Sequence, residues 1–166
     1  MKKLIGFMGF MLLFGMIAPG DPNQEGGNYS VAGIHAHLYY HATGKTNPSD
    51  LLDGRSHDLW NTIIGAGEAR EPSAAIMVLV DLTGRWIAVR EGRLRLTVTD
   101  RNKTLLDQTL ELGLWFNERS QVVTLPFFIC GTGCEEIEIT AKLEGLPASK
   151  VETGTLTKTI PFECGE

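Results

Sequence analysis

The sequence predicts an all-β chain: an antiparallel β-sandwich, immunoglobulin-like or fibronectin-III-like, with an N-terminal extension. Three observations lead there. After residue 58, apolar residues recur at every second position in short runs, which is the period of a half-buried strand. Nineteen glycines and seven prolines punctuate the chain, as hairpins require. No stretch after residue 20 repeats apolar residues at spacings of three and four over several turns, the pattern an amphipathic helix needs.

The first twenty residues stand apart from that fold. Lys2 and Lys3 precede a fifteen-residue apolar run, Leu4 to Ala18, followed by Pro19 and Gly20. A short cationic lead, an apolar stretch below the ~20 residues of a membrane span and small residues at Ala18 and Gly20 form the pattern of a secretory signal peptide, residues 1–20. Cleavage is expected before Asp21, and a retained N-terminal anchor is the alternative. Cleavage takes the formal charge from −5 to −7, because the segment holds two lysines and no acid. No later apolar run is long enough to span a membrane. The mature chain is therefore expected to be exported, periplasmic or extracellular, and not membrane-spanning.

Residues 21–58 read as a flexible N-terminal extension. Asp21 to Gly33 is polar and glycine-rich, 34–41 has the composition of an extra strand, and 42–58 is dense enough in Gly, Pro, Asn, Ser and Asp for a linker. The sandwich domain is expected over 59–166, with Leu59 to Ile64 as a candidate first strand. Ala74 to Leu82 is an apolar run of strand length, the pattern of burial on both faces. In Arg93 to Thr99, Leu94, Leu96 and Val98 share one face while Arg93, Arg95, Thr97 and Thr99 share the other. Arg101-Asn102-Lys103 makes a polar turn, and Thr104 to Leu112 returns as the hairpin partner.

Gln121 to Ile129 contains Pro126, which lacks a backbone donor and places that strand at an edge or a bulge. Glu136 to Leu143 alternates again, with Ile137, Ile139, Ala141 and Leu143 inward. In the last strand, Thr155 to Phe162, Leu156, Ile160 and Phe162 share a face that Lys158 interrupts, and Pro161 again suggests an edge. Matching the apolar faces of these two strands sets Ile139 opposite Ile160 and Ile137 opposite Phe162.

Export permits disulfides. Cys130, Cys134 and Cys164 are an odd set, so one thiol is left over or pairs between chains. The expected strand pairing brings Cys164 near the start of the preceding strand and favours Cys134–Cys164, with Cys130 as the competing partner of Cys134 across Gly-Thr-Gly. The C-x-x-x-C spacing is not that of a redox or zinc motif.

The chemistry most open to argument lies in HAHLYYH, residues 35–41. On a strand, His35, His37, Tyr39 and His41 project from one face, and alternate imidazoles lie ~7 Å apart. Such a face can offer ligands to Zn²⁺ or Cu²⁺, both of which accept imidazole. His35, His37 and His41 are thus the candidate metal ligands, with His57 able to close the set. A solvated histidine face holding no metal, or one responding to pH, is the alternative reading.

Other constellations are weaker. Ser56-His57-Asp58 has the residue types of a hydrolase triad, but triad members converge from separate elements. Asp50, Asp53 and Asp58 lack EF-hand spacing. Trp60 and Trp115 are read as core, whereas Trp86, just past a Thr-Gly turn, is the candidate for stacking on a sugar ring. The net charge of −5 argues against nucleic acid as a partner. These readings converge on a non-enzymatic exported binding protein needing no cofactor, its partner a protein or a cell-envelope component. The alternatives are a Zn- or Cu-binding protein and a carbohydrate-binding module.

Overall fold

The computed structural model describes residues 30–61, 64–84, 88–101, 103–116, 121–133, 135–145 and 154–164. The expected signal peptide (1–20), Trp86 and Cys134 lie outside the described residues. Every regular element among the described residues is a strand, and every ladder is antiparallel.

Two four-stranded sheets carry the fold. The first comprises β1 (Ser30–Tyr40), β2 (Lys45–Thr46), β5 (Ala75–Thr83) and β8 (Val122–Ile129), in the order β2-β1-β5-β8. The second comprises β6 (Ala88–Asp100), β7 (Lys103–Phe116), β9 (Ile137–Gly145) and β10 (Gly154–Ile160), in the order β10-β9-β6-β7. A short ribbon pairs β3 (Leu59–Trp60) with β4 (Ala66–Gly67).

Period-two alternation turns each strand's apolar half inward. Ile34, Ala36 and Leu38 of β1, Ile76, Val78, Val80 and Leu82 of β5, and Phe127 and Ile129 of β8 are buried. They form one cluster with Leu94, Leu96 and Val98 of β6, Ile137, Ile139, Ala141 and Leu143 of β9, and Ile160 of β10. Each large side chain so buried contributes about 1.5–3 kcal/mol relative to exposure. One core therefore serves both sheets.

That core corrects the expected boundary at residue 58. β1 pairs with β5 from Ser30↔Thr83 to Tyr39↔Ala75, so its hydrophobic half is structural rather than an appendage. The segment expected to be a linker is fastened along the other edge of β1. Asn47 N–H donates to Leu38 O at 2.9 Å and Leu51 N–H to Ala36 O at 2.8 Å, and Leu51 enters the core. Its polar residues turn the chain; its backbone donors satisfy the edge.

Other details also differ from expectation. Where a strand from Leu59 to Ile64 was expected, β3 covers only Leu59–Trp60, and Trp60 is 42% exposed rather than core. The ribbon docks on β1 through Gly65, whose φ of +74° and packing against Leu38 leave no room for a Cβ. The last hairpin is shifted by two residues: Ile137 faces Ile160 and Ile139 faces Lys158. A two-residue shift keeps every side chain on its expected face. It also frees Phe162 to pack beyond the strand end, where Glu163 N–H donates to Leu59 O at 2.8 Å. Both proline-marked strands, β8 and β10, stand at sheet edges. β5 is fully buried on one face only; Met77, Leu79 and Asp81 on its other face are half-buried.

Candidate functional site

The two sheets differ in what their outer faces show. On the second sheet, Arg93 and Arg95 of β6 stand beside Glu111 and Thr109 of β7 and Glu144 and Lys142 of β9. Arg95 holds Asp107 through two hydrogen bonds of 2.8 and 2.7 Å, Lys142 pairs with Glu144 at 2.7 Å, and Arg93 approaches Glu111 at 3.7 Å. Thr140 and Thr157 share a hydrogen bond. This is a solvated, charge-compensated surface.

The outer face of the first sheet is mostly apolar. In register across β1, β5 and β8 lie His35–Leu79–Pro126 and His37–Met77–Phe128, with Tyr39 at the end of the row. Tyr39 meets Phe128 edge-on at 5.1 Å between ring centroids. Phe128 is 42% and Val122 44% exposed, both on the outer side of β8. The charged member on β5 is Asp81, which accepts a hydrogen bond from Thr124 Oγ1 at 2.6 Å.

His35 and His37 rise from this face at the rim where the 45–51 segment runs. His35 Nδ1 lies 2.7 Å from Asp50 Oδ2, and a carboxylate can only accept, so Nδ1 carries the hydrogen. His37 Nδ1 likewise donates to the carbonyls of Asn47 and Ser49, at 3.1 and 3.0 Å. His35 Nε2 lies 3.4 Å from Asp81 Oδ2. Burial disfavours the Asp50 charge, but hydrogen bonds from Ala36 N–H, His35 and Leu52 N–H outweigh it and hold the carboxyl below its ordinary range. His41 lies past the end of β1 in an exposed turn.

The three histidines of the 35–41 stretch are thus not gathered at one point: two share a face and the third leaves it. Among the described residues no three of His, Cys, Asp and Glu form a set able to hold a metal ion. His57 belongs to another cluster. Its side chain is 3% exposed, with Nε2 3.1 Å from Asp53 Oδ1 and Nδ1 3.2 Å from Glu68 Oε1, although the latter pair makes no hydrogen bond. Arg55 grips Asp53 and holds that carboxyl far below the usual carboxylate range. Ser56-His57-Asp58 therefore has no triad geometry; His57 turns to Asp53 and Glu68 instead.

Sequence reasoning missed Asp81 as a partner of His35. Its signal is an acid at an outward position inside the run AIMVLVDL. Asp50 was visible only as a loop acid, yet it caps the turn through Leu52 N–H at 3.0 Å and anchors His35. A shallow groove of about 340 Å³ lies elsewhere, between Leu51, Leu52 and Arg55 and the free edge of β10 at Thr157, Lys158 and Pro161.

Cys130 is free and exposed, while Cys164 is disulfide-bonded. No helix among the described residues is long and apolar enough to cross a membrane. The chain matches no protein-family model and no curated protein.

Proposed function

We propose that this chain is an exported, non-enzymatic β-sandwich that binds a protein or cell-envelope component through the outer face of its first sheet. The observation that carries the proposal is the contrast between the two outer faces. One is laced with ion pairs; the other aligns Tyr39, Met77, Leu79, Pro126 and Phe128, with Val122 beyond them. A contiguous exposed apolar patch rimmed by polar groups is the usual mark of an interaction surface. The β5 run has the composition of a strand covered on both sides. Its own fold covers one.

Strand order supports a fibronectin-III-like arrangement of the sandwich. Among the seven long strands, the first, second and fifth (β1, β5, β8) share a sheet, and the third, fourth, sixth and seventh share the other. In the immunoglobulin constant arrangement the fourth strand joins the first sheet instead. Export rests on the segment 1–20 and accords with the disulfide at Cys164; Cys134 is its proposed partner, given that Cys130 is free.

The test is a matched pair of variants immobilised against an extract of the host's cell envelope. Phe128→Asp should lower retention of the bound component at least ~10-fold, as expected for a central aromatic contact. Thr97→Asp, on the opposite outer face, should leave retention unchanged, with far-ultraviolet circular dichroism confirming both folds. Equal retention by the two folded variants would refute the assignment of the face.

A further inference from the structure

We propose that the free edge of β10 receives an extended acidic peptide strand, with Lys158 and Arg55 reading its charge. This surface is separate from the apolar face above and does not depend on it. β10 ends the second sheet, and β9 pairs with only one of its edges. Among the described residues, no backbone hydrogen bond outside that ladder reaches Gly154–Ile160. Alternate N–H and C=O groups of this seven-residue strand therefore face outward without a backbone partner, a pattern that one more strand completes. Two other sheet edges are guarded. Asn47 and Leu51 N–H bond the edge of β1, and Pro126 leaves β8 one donor short.

Beside β10 lies the groove of about 340 Å³, which gives room for the side chains of an added strand. Its far wall is the 51–55 segment, with Leu51, Leu52, Gly54 and Arg55. That wall is braced from behind. The buried His57 places Nε2 3.1 Å from Asp53 Oδ1, and Asp53 in turn pairs with Arg55. Asp53 engages Nε and one terminal nitrogen of the guanidinium, so other N–H donors of Arg55 stay open to a ligand.

Charge selects the peptide. Arg93, Arg95 and Lys142 of the same sheet each stand within ion-pair distance of an acid, whereas Lys158 has no such acid among the described residues. An acid on the incoming strand opposite Lys158 completes a cross-strand pair; a lysine there meets a like charge. The same ammonium opposes an apolar strand, including the edge of a second copy, because pairing would bury it uncompensated.

Titration of the isotope-labelled chain with the peptide TVEVEVT, followed through backbone amide shifts by NMR, tests this. Saturable shifts are expected along 154–160 and 51–55. The peptide TVKVKVT should bind at least ~5-fold more weakly. Lys158→Glu should reverse that preference, a gain that a misfolded chain cannot show. TVEVEVT methylated on every backbone nitrogen should not bind, and Phe128→Asp should leave binding unchanged. Four results overturn the proposal: no saturation at millimolar peptide, equal affinity for the two peptides, shifts along β7 or β8 instead, or free glutamate binding as tightly as TVEVEVT. Shifts at 154–160 that depend on concentration in the chain alone also overturn it, since the occupant is then a second copy.

Discussion

Asp50 offers the sharpest quantitative test of how the 42–58 segment is fastened. Its carboxylate accepts from Ala36 N–H at 2.9 Å, Leu52 N–H at 3.0 Å and His35 Nδ1 at 2.7 Å. Each hydrogen bond to a charged group is worth about 1.5–3 kcal/mol when shielded. The side chain is one-fifth exposed, so values at or below the low end apply and the three together contribute about 2–4 kcal/mol. Asp50→Ala should lower stability by that amount in urea unfolding and lower Tm by about 2–4 °C for each kcal/mol. Asp50→Asn, which keeps an acceptor for the backbone donors but loses the charge, should cost about half. The pH dependence follows from the depressed folded-state value. The charge contributes fully above the unfolded value, near 3.8, and its contribution disappears as pH falls through the lower folded value. The gap between wild type and Asp50→Asn should therefore narrow below about pH 4. A loss under 0.5 kcal/mol for Asp50→Ala at neutral pH, or a gap that widens in acid, would refute the fastening (about the size of an ordinary surface substitution).

Three further outcomes are expected. Phe127→Ala removes a core aromatic that is 2% exposed and should cost about 3–5 kcal/mol by chemical denaturation. Arg95→Ala breaks a bidentate but solvent-open pair with Asp107 and should leave the urea midpoint almost unchanged, with any difference shrinking in high salt. Lys158→Val replaces a lysine set opposite inward-facing Ile139 on edge strand β10. It should leave the monomer at least as stable while making light scattering rise with concentration, because an inward charge on an edge deters strand addition.

What the sequence discloses is the part governed by local alternation. Leu94, Leu96 and Val98, and Ile137, Ile139, Ala141 and Leu143, point inward as their spacing requires, and Pro126 lies on an edge because it cannot donate to a central ladder. What it conceals depends on partners distant in sequence. The 42–58 segment has the composition of a linker, yet Asn47, Asp50 and Leu51 satisfy the edge of β1 through bonds spanning nine or more residues. Composition records that a segment is polar, not whose donors and acceptors it meets. The two-residue shift in the last hairpin is invisible for a related reason: alternation fixes the face of a strand but is blind to register changes of even number. Half of the His35–Asp81 contact is legible. His35 stands out in HAHLYYH, while Asp81 reaches it only because β5 pairs with β1 in the register Gly33↔Asp81.

That register also explains why the apolar surface and the His35–Asp81 pair share one sheet. β5 carries Met77, Leu79 and Asp81 at successive outward positions. The same alternation that sends Ile76, Val78, Val80 and Leu82 into the core therefore lays two apolar side chains and one acid in a line outside it. β1 answers with His37 opposite Met77 and His35 opposite Leu79, and β8 with Phe128 and Pro126. The core alone asks only that these outward residues be compatible with a strand, and polar side chains meet that demand, as Arg93, Arg95 and Thr97 do on β6. Core packing thus accounts for the inward half of β1, β5 and β8 and leaves the outward half unexplained. A face whose residues the fold does not require is where selection for a partner has room to act, and the face with the apolar rows is the one bordered by an oriented imidazole.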